Sequence, residues 1–568
     1  MKKSRVSVPK YVAPQPIQMP DKQWPYKQIT QSPIWCSVDL RDGNQALPNT
    51  MDPEQKLEYF KLLCDIGFKH IEVGFPSASK DDFDFVRRLI EEGHIPDDVF
   101  IMVLTQCREH LIERTMESLQ GIKQAIFHSY IATSDLHMLQ VFSLRNAETV
   151  DRAVATAAQI RNAAIQMEGS DIRFQFSPEE FTDSDLGFAI RTCEAVFDEW
   201  GQATPEKPII FNLPATVERR PPYQVADMFE YFDAFIKNRE SVIISTHAHN
   251  DQGMAVASTE MCLLAGADRV EGALLGHGER TGNVDVSVVA LNLFSRGIDI
   301  GLDFSDMPRI VETVERLTGM PVPSRHPYAG ELVFTAFSGS HQDAIGKGMA
   351  RRRNTAELFE RGWYVPYLHI DPADLGRRYE KMIRINSQSG KGGIAWVMEQ
   401  EHGISLPKEF QPALASVVQV KMDELHGAEV SGDQLKAWFD QEFVNVNQPY
   451  ELEGYWITDD SSSEKTNGLV KIWVNGQLYE VSASSNDGPL DAFSKALSKA
   501  GVNGFQVVHG FREESLGQTT DAKGIAFVPL VFGDDPTVWW GVGTHNKTHV
   551  AAARGIVAAL NRRAIASR

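Results

Sequence analysis

Short β-rich runs alternate with longer segments of helical period over the first half of the chain. In each helical segment the apolar residues recur every three or four positions, as they do on one face of an amphipathic helix. The β-rich runs are short and are bounded by polar or turn-forming residues, as strands are. Eight such runs lie at 34–40, 70–76, 100–105, 125–132, 172–176, 208–213, 241–246 and 269–275. The helical segments between them include 54–66, 82–92, 147–167, 185–200, 223–237, 254–264 and 284–294.

This alternation is typical of one fold. Eight strands that alternate with helices over about 270 residues indicate an α/β protein with a (β/α)8 TIM barrel. We place this predicted catalytic domain at residues 32–302. An open, doubly wound sheet is the alternative, but that fold usually carries a glycine-rich phosphate loop after its first strand, and the sequence has none there.

The rest of the chain has a different pattern of predicted helices and strands. A chain of 568 residues is too long for one hydrophobic core, so further domains are expected. Residues 1–31, rich in Pro, Gln and Lys, predict an extended N-terminal arm, and residues 303–445 predict helical linker subdomains. Alternating strands around two helices, 489–500 and 548–562, predict a separate α+β domain at 446–568.

Composition narrows the class of partner. The formal net charge is −20, which argues against nucleic acid or an anionic membrane as the main partner. An anionic substrate would need a local positive site, such as a metal ion or a few arginines. The five cysteines are far apart and form no CxxC pair, and the basic N-terminus leads into prolines and not into an apolar segment. These features predict a soluble cytoplasmic protein with reduced thiols.

The most informative motif closes the seventh predicted strand. It reads Ser-Thr-His-Ala-His-Asn-Asp, with the histidines at His247 and His249. Side chains two residues apart on a strand point to the same side, so both imidazoles can face the mouth of a barrel. Such a pair needs only a carboxylate to complete a three-ligand metal site. A lone histidine would more often be a satisfied polar residue of the core.

The first strand supplies a carboxylate, Asp42, in the string DLRDGNQ. A tight turn closed by Gly43 is the structural alternative, but it does not explain the neighbouring Arg41 and Gln45. An Asp/His/His set leaves coordination positions open, which suits chelation of a 2-oxo acid, and Arg41 is placed to stabilise developing negative charge. Asn283 follows the eighth strand and heads the next helix, where its position is that of an N-cap. Further polar groups end strands 4, 5 and 6 at His128, Glu179, Asn212 and Thr216, on the barrel face that carries active sites.

Four strings, DLRDGNQAL, HAHND, GHGERTGN and FNLPATVE, strongly resemble 2-isopropylmalate synthases of the longer bacterial type that also occurs in mycobacteria. The likeness covers nearly the whole chain after residue 30. Members of this family condense acetyl-CoA with 3-methyl-2-oxobutanoate to give 2-isopropylmalate and CoA, the first committed step of leucine synthesis. The resemblance therefore implies a transferase that uses a divalent metal ion, Mg²⁺, Mn²⁺ or Zn²⁺.

The resemblance also implies roles for individual residues. It assigns Asn283 to the metal together with Asp42, His247 and His249, and it places Arg41 next to the reacting oxygen. The oxo-acid pocket would be formed by His128, Asn212, Pro214 and Thr216. Removal of a proton from the acetyl methyl group would involve Glu179 and His341, and Tyr367 would reach the site from the linker subdomain of the partner subunit.

The last domain resembles the leucine-binding regulatory module of the family. The string SNDGPLDAFSKAL at 485–497 matches its glycine-proline helix start, and HVAAARGIVAALNRR at 549–563 matches its last helix. The chain departs from the family where Asp487 precedes Gly488 and where Ala551–Ala553 replace an Ala-Ser pair. The resemblance implies a homodimer that leucine inhibits allosterically; a domain that serves only to dimerise the chain is the alternative.

Three other functions stay open at this point. A citramalate or homocitrate synthase would use the same metal and acetyl-CoA with another 2-oxo acid. An aldolase or oxo-acid lyase can share the DxRDG and HxHND motifs, although the C-terminal domain and the region of Tyr367 argue against it. A non-catalytic amino-acid-binding protein would require a barrel that has lost activity, which the intact ligand set opposes.

Overall fold

The computed structural model describes residues 14–142, 146–336, 338–379, 391–425, 430–460, 465–516 and 523–567, which form two compact units. The first unit spans residues up to 334 together with 370–379, and the second contains 335–369 and the residues from 380 onward. In the described part of the chain, no helix combines the length and the apolar character needed to cross a membrane.

Eight parallel strands form a closed barrel in the first unit, in the order in which they occur along the chain. The ring closes where β1 pairs with β8, with Cys36 opposite Glu271 and Ser37 opposite Gly272. The predicted (β/α)8 barrel is confirmed. Its strands are β1 Ile34–Ser37, β2 His70–Gly74, β3 Phe100–Gln106, β4 Gln124–Ala132, β5 Asp171–Glu179, β6 Ile209–Ala215, β7 Val242–Ala248 and β8 Arg269–Gly272.

Helices surround the strands and have clear start signals. The Asp52 side chain accepts hydrogen bonds from two backbone amides in the first turn of the helix that begins at Pro53. The Asp185 and Asp285 side chains each accept from one backbone amide at the start of a later helix. The helix α1 ends at Gly67, whose φ of 111° is a conformation that glycine adopts without strain. The helices of this unit are α1 Pro53–Ile66, α2 Lys80–Glu91, α3 Glu109–Ser118, α4 Asp135–His137, α5 Asn146–Gln166, α6 Leu186–Trp200, α7 Pro222–Phe235, α8 Ala255–Leu264, α9 Val286–Ser295 and α10 Met307–Thr318.

Three predicted strands are too long at their C-terminal ends: the second by two residues, since it ends at Gly74, and the first and eighth by three. The first ends at Ser37 and not at residue 40, because Asp39–Gly43 form one turn of π-helix. The eighth ends at Gly272 and not at residue 275. The backbone of Val284 passes so close to Gly272 that a Cβ there would lie 2.6 Å from the Val284 carbonyl oxygen.

The N-terminal arm is not simply extended over its described residues. Trp24–Tyr26 form a short 3-10 turn, and the Trp24 indole is buried. Its Nε1 donates to Asp227 at 2.8 Å, and the Trp24 amide donates to Glu230 at 2.9 Å. The apolar ring and these two carboxylates of α7 hold this part of the arm against the barrel.

The second unit contains a helical part and two antiparallel sheets. One sheet has the order β11-β10-β9; in the other, β14 pairs with β12, β13 and β15. The strands β10 and β11 form a hairpin, because Asn475 and Gly476 between them, with φ values of 51° and 85°, form the tight turn that an Asn-Gly pair favours. The elements are α11 Gly339–Asn354, α12 Ala356–Glu360, α13 Lys391–His402, α14 Gln411–Glu424, α15 Gly432–Phe443, β9 Tyr450–Asp460, β10 Lys465–Val474, β11 Gln477–Ser485, α16 Pro489–Lys499, β12 Phe505–Val507, β13 Arg512–Leu516, β14 Lys523–Phe532, β15 Asp535–His545 and α17 Thr548–Ala566.

The helix α17 forms the core of the C-terminal α+β part. Its residues Ala551, Ala552 and Ala553 are buried against the sheets. Two glycines of β15 let the helix approach closely, since a Cβ at Gly543 would lie 1.8 Å from the Ala551 carbonyl oxygen and one at Gly541 would lie 2.2 Å from that of Gly555. The small residues of the last helix therefore have a packing role in this chain.

Candidate functional site

Three side chains of the kinds that ligate metal ions, one carboxylate and two imidazoles, meet at the C-terminal mouth of the barrel. Asp42 lies in the π-turn after β1, His247 lies in β7, and His249 follows directly after β7. The Asp42 Oδ2 atom is 3.3 Å from His247 Nε2 and 3.7 Å from His249 Nε2. One ligand atom from each residue lies within 4.8 Å of the others, and all three side chains are buried. The described residues thus contain a buried cluster that could hold a metal ion.

Asn283 lies beside this cluster, since its backbone forms an isolated bridge with His249. Its Nδ2 donates to the carbonyl oxygen of His277 at 2.8 Å, whereas its buried Oδ1 has no hydrogen-bond partner among the described residues. The interpretation of Asn283 as a helix cap is wrong, because Asp285 caps α9. An unsatisfied buried oxygen is costly, and a cation would satisfy it. The donor set therefore fits a divalent ion.

Strong electrostatic coupling marks the cluster. Burial alone would raise the pKa of Asp42, but Arg41 and the two histidines hold it well below its usual range. Burial alone would lower the pKa of His247, yet hydrogen bonds to Asp42 and Glu271 raise it to about 9. Burial and the charge of His247 lower the pKa of His249 to about 4. Shifts of opposite sign on adjacent groups are typical of functional sites.

Arg41 is fixed next to the cluster by two carboxylates. Its Nε donates to Glu72 at 2.6 Å, and its Nη1 lies 3.4 Å from Asp42 Oδ2. Glu72 also contacts His128, whose Nδ1 lies 2.6 Å from Glu72 Oε1 and whose Nε2 lies 2.7 Å from Ser177 Oγ. The guanidinium is therefore oriented in advance toward the cavity above the cluster.

A cavity of about 180 Å³ opens above the cluster. Burial raises the pKa of Glu179, the last residue of β5, at its wall. Nine of the twelve predicted site residues line the cavity, and a tenth, Asn283, lies next to it through its backbone bridge to His249. The predicted residues in its lining are Arg41, Asp42, His128, Glu179, Asn212, Pro214, Thr216, His247 and His249.

The other two predicted residues lie in the second compact unit. His341 is in α11, and its ring stacks on that of Tyr367 with centroids 3.9 Å apart. Both side chains are exposed. Their roles in catalysis stay predictions.

Sequence reasoning missed several residues of the site. Phe75, Leu104 and Tyr130 line the cavity and make part of its wall apolar. Two buried carboxylates, Glu72 and Glu271, lie beneath it and form a second group with His128 whose ligand atoms meet within 4.8 Å. A signal for these carboxylates exists, since each is an acidic residue inside a short apolar strand, in HIEVG and RVEG.

Comparisons with known proteins agree with this arrangement. Three family models match in succession: HMGL-like at residues 32–314, the alpha-isopropylmalate synthase post-catalytic domain-like model at 331–399, and the LeuA allosteric (dimerisation) domain at 429–564. Among solved structures, an HMG-CoA lyase from Brucella melitensis is 21% identical, covers 51% of this chain and 100% of its own, and has a TM-score of 0.41.

Curated relatives match nearly end to end. The 2-isopropylmalate synthase of Clostridium acetobutylicum is 46% identical over 559 residues, covering 97% of this chain and 99% of its own. The corresponding synthases of Parafrankia sp. and Pseudomonas putida are 46% and 47% identical, and each covers at least 97% of both chains. The chain therefore belongs to the family of the 2-isopropylmalate synthases.

Proposed function

We propose that this enzyme joins the methyl carbon of acetyl-CoA to the keto carbon of 3-methyl-2-oxobutanoate and releases 2-isopropylmalate and CoA after thioester hydrolysis. The observation that carries the proposal is the buried Asp42/His247/His249 cluster at the floor of the barrel cavity. The cavity wall combines apolar groups, Leu104 and Phe75, with hydrogen-bonding groups. That combination suits a small 2-oxo acid with a branched aliphatic side chain.

Asp42, His247, His249 and Asn283 would hold the divalent ion. Imidazole, carboxylate and amide oxygen accept Zn²⁺, Mn²⁺ or Mg²⁺. When bound, the ion supplies Lewis-acid polarisation of the keto group. Arg41 contacts one of these ligands from outside the set, with its Nη1 3.4 Å from Asp42 Oδ2.

The remaining polar groups bind and orient the reactants. Arg41 faces the position where negative charge develops on the former keto oxygen, and its bond to Glu72 holds it there without reorganisation. His128, Asn212, Pro214 and Thr216 would contact the oxo acid. Glu179 would take the proton from the acetyl methyl group, a role that the raised pKa of this carboxyl supports. The family resemblance, and not the geometry, is what supports an assisting role for His341 and Tyr367.

Regulation by leucine and assembly as a homodimer complete the proposal. The match of residues 429–564 to an allosteric dimerisation domain supports both. Leucine would inhibit by binding one state of the dimer more tightly than another. In this proposal the chain divides into an arm at 1–31, a catalytic barrel at 32–302, linker subdomains at 303–445 and a regulatory domain at 446–568. A cytoplasmic location follows from the biosynthetic role.

CoA release tests the choice of substrate. The full chain, loaded with Mn²⁺ or Zn²⁺, is assayed with a thiol reagent, acetyl-CoA and one of 3-methyl-2-oxobutanoate, pyruvate or 2-oxoglutarate, each with and without leucine. We expect a strong preference for 3-methyl-2-oxobutanoate that leucine suppresses. Preference for pyruvate or 2-oxoglutarate would reassign the acyl acceptor, and the same rate with and without leucine would reduce the last domain to a dimerisation module.

A further inference from the structure

Glu271 is a fully buried carboxylate beneath the metal cluster, and each of its oxygens is shared by two donors. Its Oε1 is 2.8 Å from His247 Nδ1 and 3.1 Å from the Asn212 amide nitrogen. Its Oε2 is 3.0 Å from the Gln175 amide nitrogen and 2.9 Å from Nη1 of Arg269. The carboxylate thus bridges a metal-ligand histidine and a buried arginine.

Arg269 donates to this carboxylate from a fixed position. It is fully buried, and its guanidinium also donates to His70 Nδ1 at 3.1 Å and to Ser245 Oγ at 2.8 Å. Three of the four contacts to Glu271 come from nitrogens that only donate, two amides and a guanidinium, so both carboxylate oxygens act as acceptors. The proton of the fourth contact is therefore placed on His247 Nδ1.

The position of this proton decides which ring nitrogen of His247 can bind a metal ion. An ion bound by His247 would take the place of the proton on Nε2, the atom that lies 3.3 Å from Asp42, while Nδ1 keeps its proton and its bond to Glu271. His249 lacks such a support, because its Nδ1 has no hydrogen-bond partner among the described residues. The two histidines of the cluster therefore differ in how firmly the protein orients them.

We propose that Glu271, held by Arg269, is the positioning residue that fixes the ring and the tautomer of His247 for the metal ion. This role rests on the metal site of the proposed function and adds to it a residue pair that neither touches substrate nor ligates the ion. A carboxylate behind a ligand histidine orients it and raises its basicity. Its loss typically weakens metal binding by roughly 10–100-fold.

A glutamine at position 271 gives a sharp test, because it preserves shape and removes the charge. Arg269 has donors only, so the amide oxygen of Glu271→Gln must turn toward Arg269. Its NH₂ group then faces His247 Nδ1 and forces the ring proton onto Nε2, where the ion would bind. We expect the Kd for Zn²⁺, measured by competition with a chromophoric chelator on the metal-free full chain, to rise roughly 10–100-fold.

The double variant Arg269→Met/Glu271→Gln separates positioning from packing. Without the guanidinium, the amide of residue 271 can turn its oxygen toward His247. Gln175 can then present its Oε1, which has no partner among the described residues, to the NH₂ group. We expect Zn²⁺ binding several-fold tighter than in Glu271→Gln. A role confined to packing predicts the reverse, since the double variant loses more contacts.

Glu230→Gln is the matched control. Glu230 is a buried carboxylate of α7 that accepts from the backbone amides of Gln23 and Trp24, bonds that the oxygen of a glutamine can also accept, and its hydrogen bonds among the described residues do not involve the metal cluster. Its Zn²⁺ affinity should stay near that of the wild type, with thermal melting of the metal-free chains reporting any loss of fold. Equal Zn²⁺ affinity in Glu271→Gln and wild type would overturn the role of Glu271. Failure of the wild-type chain to bind Zn²⁺ would instead refute the metal site itself.

Discussion

Replacing Asp42 by alanine is expected to lower kcat by about 1000-fold or more while the barrel stays folded. Asp42 is the one carboxylate of the predicted ligand set, and its Oδ2 lies between the two Nε2 atoms of His247 and His249. A bound metal ion supplies several kcal/mol of transition-state stabilisation, and about 1.4 kcal/mol corresponds to a factor of ten in rate. Arg41 is not left without a partner, because it still donates to Glu72.

The measurement is CoA release by the metal-loaded variant, with metal content and thermal melting recorded on the same sample. Asp98→Ala serves as the control, since Asp98 is an exposed carboxylate whose partner is Lys69 at the surface. The control should retain wild-type activity and metal content. Near-normal turnover in Asp42→Ala would contradict the metal site, and so would the same finding in His249→Ala.

Replacing Glu179 by glutamine is expected to lower kcat by roughly 10²–10⁴-fold, the usual contribution of a positioned general base. Glu179 ends β5 at the wall of the cavity, and burial raises its pKa above the ordinary value of a glutamate. A base acts in its deprotonated form, so activity is lost as the pH falls through this pKa. The acidic limb of the wild-type kcat/KM profile should therefore lie at a higher pH than for an ordinary glutamate, and it should be absent from the residual activity of Glu179→Gln.

The neighbouring Glu180 offers a matched control for this experiment. Its side chain points elsewhere and accepts from the Ser134 hydroxyl, a bond that the oxygen of a glutamine can also accept. Glu180→Gln should keep the rate and should still show an acidic limb, displaced to lower pH because the charge of Glu180 adds to the raised pKa of Glu179. An unchanged kcat in Glu179→Gln, or an acidic limb that survives in it, would assign proton removal to another group.

Most of the site could be predicted from the sequence, because its polar residues lie at the C-terminal ends of the barrel strands. The period of two in a strand places His247 and His249 on one side, and the parallel order of the barrel brings the ends of β1 and β7 to the same mouth. Asn283 could not be decided in this way, because a ligand and a helix cap have the same local sequence. The structure separates the two by showing that Asp285 caps α9 and that Asn283 Oδ1 lies unpaired beside His249.

What escaped prediction depends on contacts between distant parts of the chain. Glu271 and His247 lie on different strands, and their 2.8 Å bond follows from the register of β7 against β8, which no local pattern specifies. The early end of β8 likewise depends on how closely the backbone of Val284 approaches Gly272. Leu104 and Tyr130 resembled ordinary strand residues, and only barrel closure shows that they line the cavity.

The fate of the acetyl methyl carbon tests the proposed reaction most directly. The metal-loaded full chain is incubated with acetyl-CoA carrying ¹³C in the methyl group and with 3-methyl-2-oxobutanoate, and the products are followed by NMR. The proposed reaction predicts one labelled methylene group in 2-isopropylmalate for each CoA released. Label that appears only in acetate, or that stays in acetyl-CoA while the oxo acid is unchanged, would contradict it.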